Sequence, residues 1–226
     1  LNPNAWYMSY WDVIVVVALL INAIYTPFEV AFDEPSLYSD PYSFSLNRAI
    51  DMIFAVDIVV NFFLPIRLSS KRGGMMIYDN KRIAEEYLKS WFALDFFTVI
   101  PWEYIFAGIA AASGESMDLS ALRMLRVLRI LKLIRLLRAS RIFARWQDHI
   151  GLSSTALSLI QFTLLTVMLA HWLACIWGFM GDPNAEPFTT FGGRSTWMQR
   201  ANVGADATAI DVYLISLYVA LNNIFG

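Results

Sequence analysis

The chain has 226 residues, of which 58% are apolar and 16% charged, and its mean hydropathy is +0.50. Soluble domains are usually about 45–50% apolar and about 25% charged, so the long apolar runs here indicate an integral membrane protein. The net charge of −2 at pH 7 does not favour a nucleic-acid partner, and the single cysteine, Cys175, excludes an intrachain disulfide. We expect no metal ion and no cofactor.

The first part of the chain predicts three membrane spans. The first covers about residues 9–32 and precedes an acidic, proline-containing loop; the second covers about residues 44–65 and precedes a loop rich in lysine and arginine. The third covers about residues 91–112 and contains Pro101. Because basic loops favour the cytoplasmic side of a membrane, we expect the N-terminus and the basic loop inside and the acidic loops outside.

A fourth span, about residues 119–145, carries a basic residue at every third position and almost only aliphatic residues between them. The seven basic residues are Arg123, Arg126, Arg129, Lys132, Arg135, Arg138 and Arg141. This pattern predicts a voltage sensor, because moving one elementary charge across the membrane potential is worth about 2.3 kcal/mol per 100 mV. Along an α-helix such charges wind slowly around the axis, whereas in a 3₁₀ helix they form one straight row.

Other kinds of helix can carry repeated basic residues. A helix on the membrane surface, a partner-binding helix and a nucleic-acid patch are the alternatives. Each of these normally presents a broad polar face, and the fourth span has no such face before Ser140. The sequence therefore favours the voltage sensor.

Three aspartates interrupt the second and third spans, and an aspartate in lipid normally faces a partner or a water cavity. Asp51, Asp57 and Asp95 are the candidate countercharges for the basic residues. Phe54 shares a helical face with Asp57, and we expect its ring to separate outer from inner water so that one charge crosses at a time. The alternative is that the aspartates are static tethers within a folded bundle.

The second part of the chain predicts the start of a pore. A fifth span covers about residues 153–180, an outer loop about 181–210, and an apolar helix about 211–225. The last helix is shorter than the about 20 residues that a span requires, so we expect it to be re-entrant. His171 and Cys175 stand one helical turn apart, but without a further ligand nearby their spacing favours packing over a metal site.

Four segments occur in an order and spacing typical of one family. They are Tyr25–Phe32, Asp51–Phe62, Tyr87–Asp95 with the following Ile100–Pro101, and His171–Trp177. They resemble six-span cation channels with a cyclic-nucleotide-binding-type domain, which include ether-à-go-go, hyperpolarisation-activated and cyclic-nucleotide-gated channels. The resemblance implies that Phe54, Asp57 and Asp95 form a charge-transfer site and that Asp51 is an outer countercharge.

The resemblance also implies an assembly in the lipid bilayer. We expect a homotetramer, or an assembly with related subunits, in which four sensors surround a central pore for monovalent cations. A cyclic-nucleotide-type domain would follow downstream, because we interpret the chain as a fragment of a longer protein. We expect a multi-pass protein of the plasma membrane, with an organelle membrane as the alternative.

The end of the predicted pore helix departs from the family pattern. Potassium-selective relatives continue with threonines and a Val/Ile-Gly-Tyr/Phe-Gly filter, whereas Asn222, Asn223 and Ile224-Phe225-Gly226 stand here. Potassium selectivity and nonselective cation permeation therefore both stay open.

The sequence as a whole predicts an all-α membrane protein with a four-helix voltage-sensor domain (residues 1–145) and the start of a pore domain (residues 146–226). It contains no nucleophile constellation and no phosphate-binding loop, so we do not expect an enzyme. The predicted function is that of a voltage-gated cation channel subunit. The alternative is a non-conducting, channel-like membrane scaffold or an accessory subunit of a larger complex.

Overall fold

The computed structural model describes residues 6–32, 41–67, 76–112, 129–146, 154–181, 196–201, 203 and 207–226, and these residues are almost entirely helical. The elements are α1 (Trp6–Phe32), α2 (Pro41–Asn61), β1 (Ile66–Arg67), β2 (Met76–Ile77), α3 (Asn80–Ser90), α4 (Phe92–Val99), α5 (Trp102–Ala112), a 3₁₀ helix (Arg129–Arg138), α6 (Ala139–Trp146), α7 (Ser154–Gly181), α8 (Trp197–Arg200) and α9 (Ala209–Phe225). The predicted helical class is confirmed. The predicted sensor charges Arg123 and Arg126 lie outside the described residues.

Two of the described helices are long and apolar enough to cross a bilayer, namely Trp6–Phe32 and the segment Thr155–Gly181 of α7. The predicted second span corresponds to α2, in which Asp51 and Asp57 are buried. The predicted third span is not one continuous helix, because α4 ends at Val99 and α5 begins at Trp102. Pro101 explains the break: it has no backbone N–H, and it pushes the preceding Ile100 into an extended conformation, with φ −62° and ψ 129°.

The described residues divide into two compact units, the first of which contains residues 6–22, 41–67, 76–101 and 134–145. In this unit α4 contacts both α2 and α3, and β1 pairs antiparallel with β2 so that Ile66 lies opposite Ile77. The short helix α3 buries Ile83 and Tyr87, which are one turn apart, and exposes its basic residues. Its two apolar residues on one face explain why it lies against the unit rather than standing free.

The second unit contains residues 23–32, 102–112, 129–133 and the described residues from 154 to 226. In it α9 packs along α7, and the ring of Phe32 lies so close to Gly178 that an added Cβ would clash with it. Helix α9 begins at Ala209, two residues before the predicted start, because Thr208 and Asp211 form a capping box. That box satisfies two backbone N–H groups at the start of the helix.

Candidate functional site

The basic residues of the 3₁₀ helix are all buried, with 9% exposure or less. They are Arg129, Lys132, Arg135 and Arg138. The apolar residues Ile130 and Leu137 on the same helix are 43% and 53% exposed. In a 3₁₀ helix, residues three apart eclipse one another, so a charge at every third position forms one row on one side. This segment therefore turns its charges inward and its aliphatic side chains outward, the reverse of a helix in a soluble protein.

Arg135 is 1% exposed and makes its contacts within the first unit. Its Nη2 lies 2.7 Å from Asp51 Oδ1, and its Nε donates to the Thr98 carbonyl oxygen at 3.0 Å. The guanidinium carbon lies 5.0 Å from the centroid of the Phe54 ring. A carboxylate, a backbone carbonyl and a ring face thus surround this cation.

Arg138 lies on the next turn and is also 1% exposed. Its Nε is 2.8 Å from Asp95 Oδ1, and its Nη2 donates to the Asp95 carbonyl oxygen at 2.8 Å. Its Nη1 is 3.9 Å from Asp57 Oδ2, which makes Asp57 the more distant of its two carboxylate partners. The guanidinium carbon lies 4.9 Å from the centroid of Phe54. Both buried arginines therefore meet the same fully buried ring, at the distance of a cation–π contact.

Asp95 is fully buried and contacts two arginines of the described site. Besides Arg138, its carboxylate contacts Arg141 Nη2 at 2.8 Å and accepts a hydrogen bond from the Tyr87 hydroxyl at 2.7 Å. Burial, and after it the hydrogen bond to Asp95, raises the pKa of Tyr87 above its usual range. The hydroxyl therefore stays protonated and can donate the hydrogen bond. Arg141 also lies over the ring of Trp91, at 5.1 Å from its centroid.

Asp57 is held differently, by uncharged donors. The indole Nε1 of Trp11 donates to Oδ1 at 3.1 Å, and Nδ2 of Asn61 donates to Oδ2 at 2.9 Å. With Arg138 at 3.9 Å, both carboxylate oxygens are satisfied without a close cation. Asp57 therefore contributes negative charge to the site while its hydrogen bonds come from residues of α1 and α2.

The last turn of α4 supplies hydrogen-bond acceptors that are not carboxylates, namely a backbone carbonyl and a hydroxyl of Thr98. Thr98 lies in the last turn of α4, where backbone carbonyl groups have no partner within the helix, and Arg135 donates to its carbonyl oxygen twice. The Thr98 hydroxyl donates to the Asp95 carbonyl oxygen at 2.9 Å and accepts from Arg138 at 3.1 Å. The partial negative charge of this helix end thus adds to that of the aspartates.

The second unit holds a further ion pair and a polar junction. Arg129 Nη1 lies 2.6 Å from Oε1 of Glu29, a carboxylate that is only 1% exposed. His171 contacts the Ile24 carbonyl oxygen through Nε2 at 2.9 Å and the Tyr213 hydroxyl through Nδ1 at 3.0 Å. A carbonyl only accepts, so Nε2 carries the proton and Nδ1 accepts from the tyrosine. His171 therefore ties α7 to both α1 and α9.

Other residues that the sequence analysis singled out belong to the second unit. Asn222 and Asn223 are exposed near the end of α9, where the Asn222 carbonyl accepts from Gly226 N at 2.8 Å. Cys175 Sγ is 3.7 Å from His171 Nε2, and the described residues contain no group of three metal-ligating side chains. Within the first unit, the structure thus gathers Asp51, Phe54, Asp57 and Asp95 around three basic residues, which are Arg135, Arg138 and Arg141.

The predicted site omitted Thr98, Trp11, Asn61, Tyr87 and Glu29. Glu29 carried the same signal as the three aspartates, an acidic residue within an apolar span. Thr98 had a weaker signal, its position three residues before a proline. Asn61 also carried a signal, a polar side chain in an otherwise apolar span, whereas Trp11 and Tyr87 carried none.

Comparison with known proteins identifies several voltage-gated channels as relatives. The chain is 34% identical over 176 residues to the voltage-gated delayed rectifier potassium channel KCNH5 of Homo sapiens, which covers 78% of this chain and 16% of that protein. It is 30% identical over 180 residues to the potassium voltage-gated channel protein eag of Drosophila melanogaster, covering 80% of this chain and 14% of that protein. It is 30% identical over 205 residues to the potassium channel KAT6 of Oryza sativa subsp. japonica, covering 87% and 32% respectively.

These relatives confirm the resemblance to channels of the ether-à-go-go type, and the chain spans less than a third of the length of each. The family model of ion transport proteins matches residues 8–222, nearly the whole chain. Its members are membrane channels and not enzymes. The chain belongs to the ion transport protein family.

Proposed function

We propose that this chain is the voltage sensor and the start of the pore of a voltage-gated cation channel subunit, with the sensor in residues 1–145 and the pore region in residues 146–226. The observation that carries the proposal is the set of contacts around Phe54. Three successive basic residues, Arg135, Arg138 and Arg141, each meet a buried carboxylate there. These residues are three positions apart, like all the basic residues of the repeat. A shift of the helix by three residues can therefore bring the next basic residue into the same contacts.

The proposed movement is a slide of the 3₁₀ helix by whole repeats. At about 2.0 Å per residue, one step of three residues is about 6 Å and carries each charge to the place of the next. Arg135 and Arg138 both lie about 5 Å from the Phe54 ring, so a passing guanidinium keeps a favourable contact on either side of it. If three or four charges cross at about 100 mV, the field supplies about 7–9 kcal/mol per sensor.

The contacts of Asp57 favour a moving helix over a static tether. A tether would place its carboxylate in close contact with one arginine, as Asp95 does with Arg138 at 2.8 Å. Asp57 instead takes its hydrogen bonds from Trp11 and Asn61 and stands 3.9 Å from Arg138. Such a carboxylate attracts each passing cation without becoming unpaired when that cation leaves, which keeps the barrier to movement low.

The names of the relatives guide the rest of the proposal. KCNH5, eag and KAT6 are named as potassium channels, so we propose potassium as the permeant ion, with a nonselective cation pore as the alternative. The subunits would assemble as a homotetramer or with related subunits in the plasma membrane. A cyclic-nucleotide-type domain would follow the pore region in the full-length protein.

A voltage-clamp measurement on the full-length protein tests the proposal. Depolarising steps should move gating charge, and Arg129→Gln should flatten the charge–voltage relation. The matched control is Arg200→Gln, which removes one exposed arginine from the predicted outer loop and should leave the slope unchanged. Gating charge without ionic current would indicate the non-conducting alternative. The absence of any charge movement in the wild-type protein would contradict a voltage sensor altogether.

A further inference from the structure

Asp51 is shared by two arginines of different origin. Its Oδ2 lies 2.8 Å from Arg48 Nη2, and its Oδ1 lies 2.7 Å from Arg135 Nη2. The carboxylate side chain is 10% exposed, so it is largely removed from water. One buried carboxylate thus contacts two cations, each through its own oxygen.

The two arginines differ in how firmly the backbone holds them next to Asp51. Arg48 lies on α2, three residues before Asp51, so the helix itself keeps it one turn away from the carboxylate. Its guanidinium carbon is also 5.8 Å from the centroid of Phe44 on the same helix. Arg135 belongs to the 3₁₀ helix. In the proposed movement, a different basic residue takes its place when that helix shifts by one repeat.

Arg48 and Arg135 also differ in the solvent exposure of their side chains. The Arg48 side chain is 32% exposed and the Arg135 side chain 1% exposed. Arg48 therefore keeps part of its hydration while paired and loses little when Asp51 turns to another cation. A buried carboxylate that loses its only cation is strongly destabilised, whereas one with a second cation in place is not.

We propose that Arg48 is a resident counterion of Asp51: it keeps this carboxylate paired while successive sensor charges arrive at and leave the other oxygen. Arg48 is a positioning residue and not one of the moving charges. Its positive charge also weakens the attraction between Asp51 and Arg135, since both cations contact the same carboxylate. The movement of Arg135 in this inference rests on the proposed function, whereas the shared pairing does not.

The first test needs no voltage. Thermal unfolding of the purified full-length protein is compared for wild type, Arg48→Gln, Arg135→Gln and the double variant. If Arg48 is the resident counterion, Arg135→Gln should lower the melting temperature more in the Arg48→Gln background, by about 2–4 °C, because Asp51 then has neither cation. Arg48→Lys should behave like wild type, and in an Asp51→Asn background the extra loss should vanish.

Equal losses in both backgrounds would overturn the proposal. If Arg135→Gln prevents folding, the milder Arg135→Lys is used in the same cycle, because it keeps the charge but loses the planar fork. The extra loss in the Arg48→Gln background should have the same sign but be smaller, because the lysine still pairs with Asp51, only more weakly. An extra loss that persists with Asp51→Asn would likewise contradict a role through this carboxylate.

The second test uses the rate of gating-charge movement. Arg48→Gln should leave Asp51 without a cation between successive sensor charges and so slow the movement by about two- to fivefold. Arg200→Gln controls for the loss of a surface charge, and an equal slowing in that variant would refute a specific action on Asp51. If the wild-type protein moves no charge, the proposed function fails while the thermal cycle still decides the inference.

Discussion

Replacing Asp95 with asparagine should destabilise the protein more than the same change at Asp57. Asp95 is fully buried and contacts two arginines at 2.8 Å each, so Asp95→Asn leaves two cations without their close anion. Removing one partner of a buried ion pair costs about 3–5 kcal/mol. Asp57 has one arginine at 3.9 Å and two uncharged donors, so Asp57→Asn should cost only about 1–3 kcal/mol, the range for lost buried hydrogen bonds.

The measurement is the folded fraction that survives heating, followed by size-exclusion chromatography of the purified full-length protein. Asp79→Asn is the matched control, because Asp79 is exposed and makes no side-chain capping bond at the start of α3. It should stay within about 0.5 kcal/mol of wild type. A loss for Asp57→Asn that equals or exceeds the loss for Asp95→Asn would refute the ranking, and with it the inference that Asp57 is held mainly by neutral donors.

Substitutions at three further positions address individual contacts through the same thermal measurement. Phe54→Leu should cost about 2 kcal/mol by removing a ring face that two guanidinium groups share, and Phe54→Ala about 3–5 kcal/mol. Tyr87→Phe should cost about 1.5–3 kcal/mol by removing a donor to Asp95. Because the pKa of Tyr87 is raised, this cost is present below about pH 10, so it should be constant between about pH 7 and about pH 9. Tyr213→Phe should cost about 0.5–1.5 kcal/mol, whereas Tyr218→Phe, which changes a side chain that is 67% exposed, should be neutral.

The sequence predicts which residues form the site better than it predicts which arginine pairs with which carboxylate. A basic residue at every third position, in a helix without other polar groups, indicates buried charges, and the aspartates of the two preceding helices are their natural partners. The same regularity hides which arginine meets which carboxylate, because a shift by three residues yields an equivalent pattern. The pairs of Arg135 with Asp51 and of Arg138 with Asp95 depend on the axial position of the helix.

Backbone acceptors and long-range donors are the parts that the sequence conceals. The Thr98 carbonyl oxygen accepts from Arg135 in the last turn of α4, which ends at Val99, and the sequence pattern around Pro101 did not indicate that contact. Trp11 reaches Asp57 across 46 positions, and Arg129 reaches Glu29 across 100. Contacts at such separations follow from how helices pack, which local patterns do not encode.

The total gating charge per channel of Arg135→Gln, compared with wild type and with Arg135→Lys, tests most directly whether the membrane field acts on these residues. If Arg135 crosses the field, its neutralisation should remove about a quarter to a third of the charge carried by three or four residues per subunit, and Arg135→Lys should restore it. A gating charge that is the same in all three proteins would contradict a moving sensor.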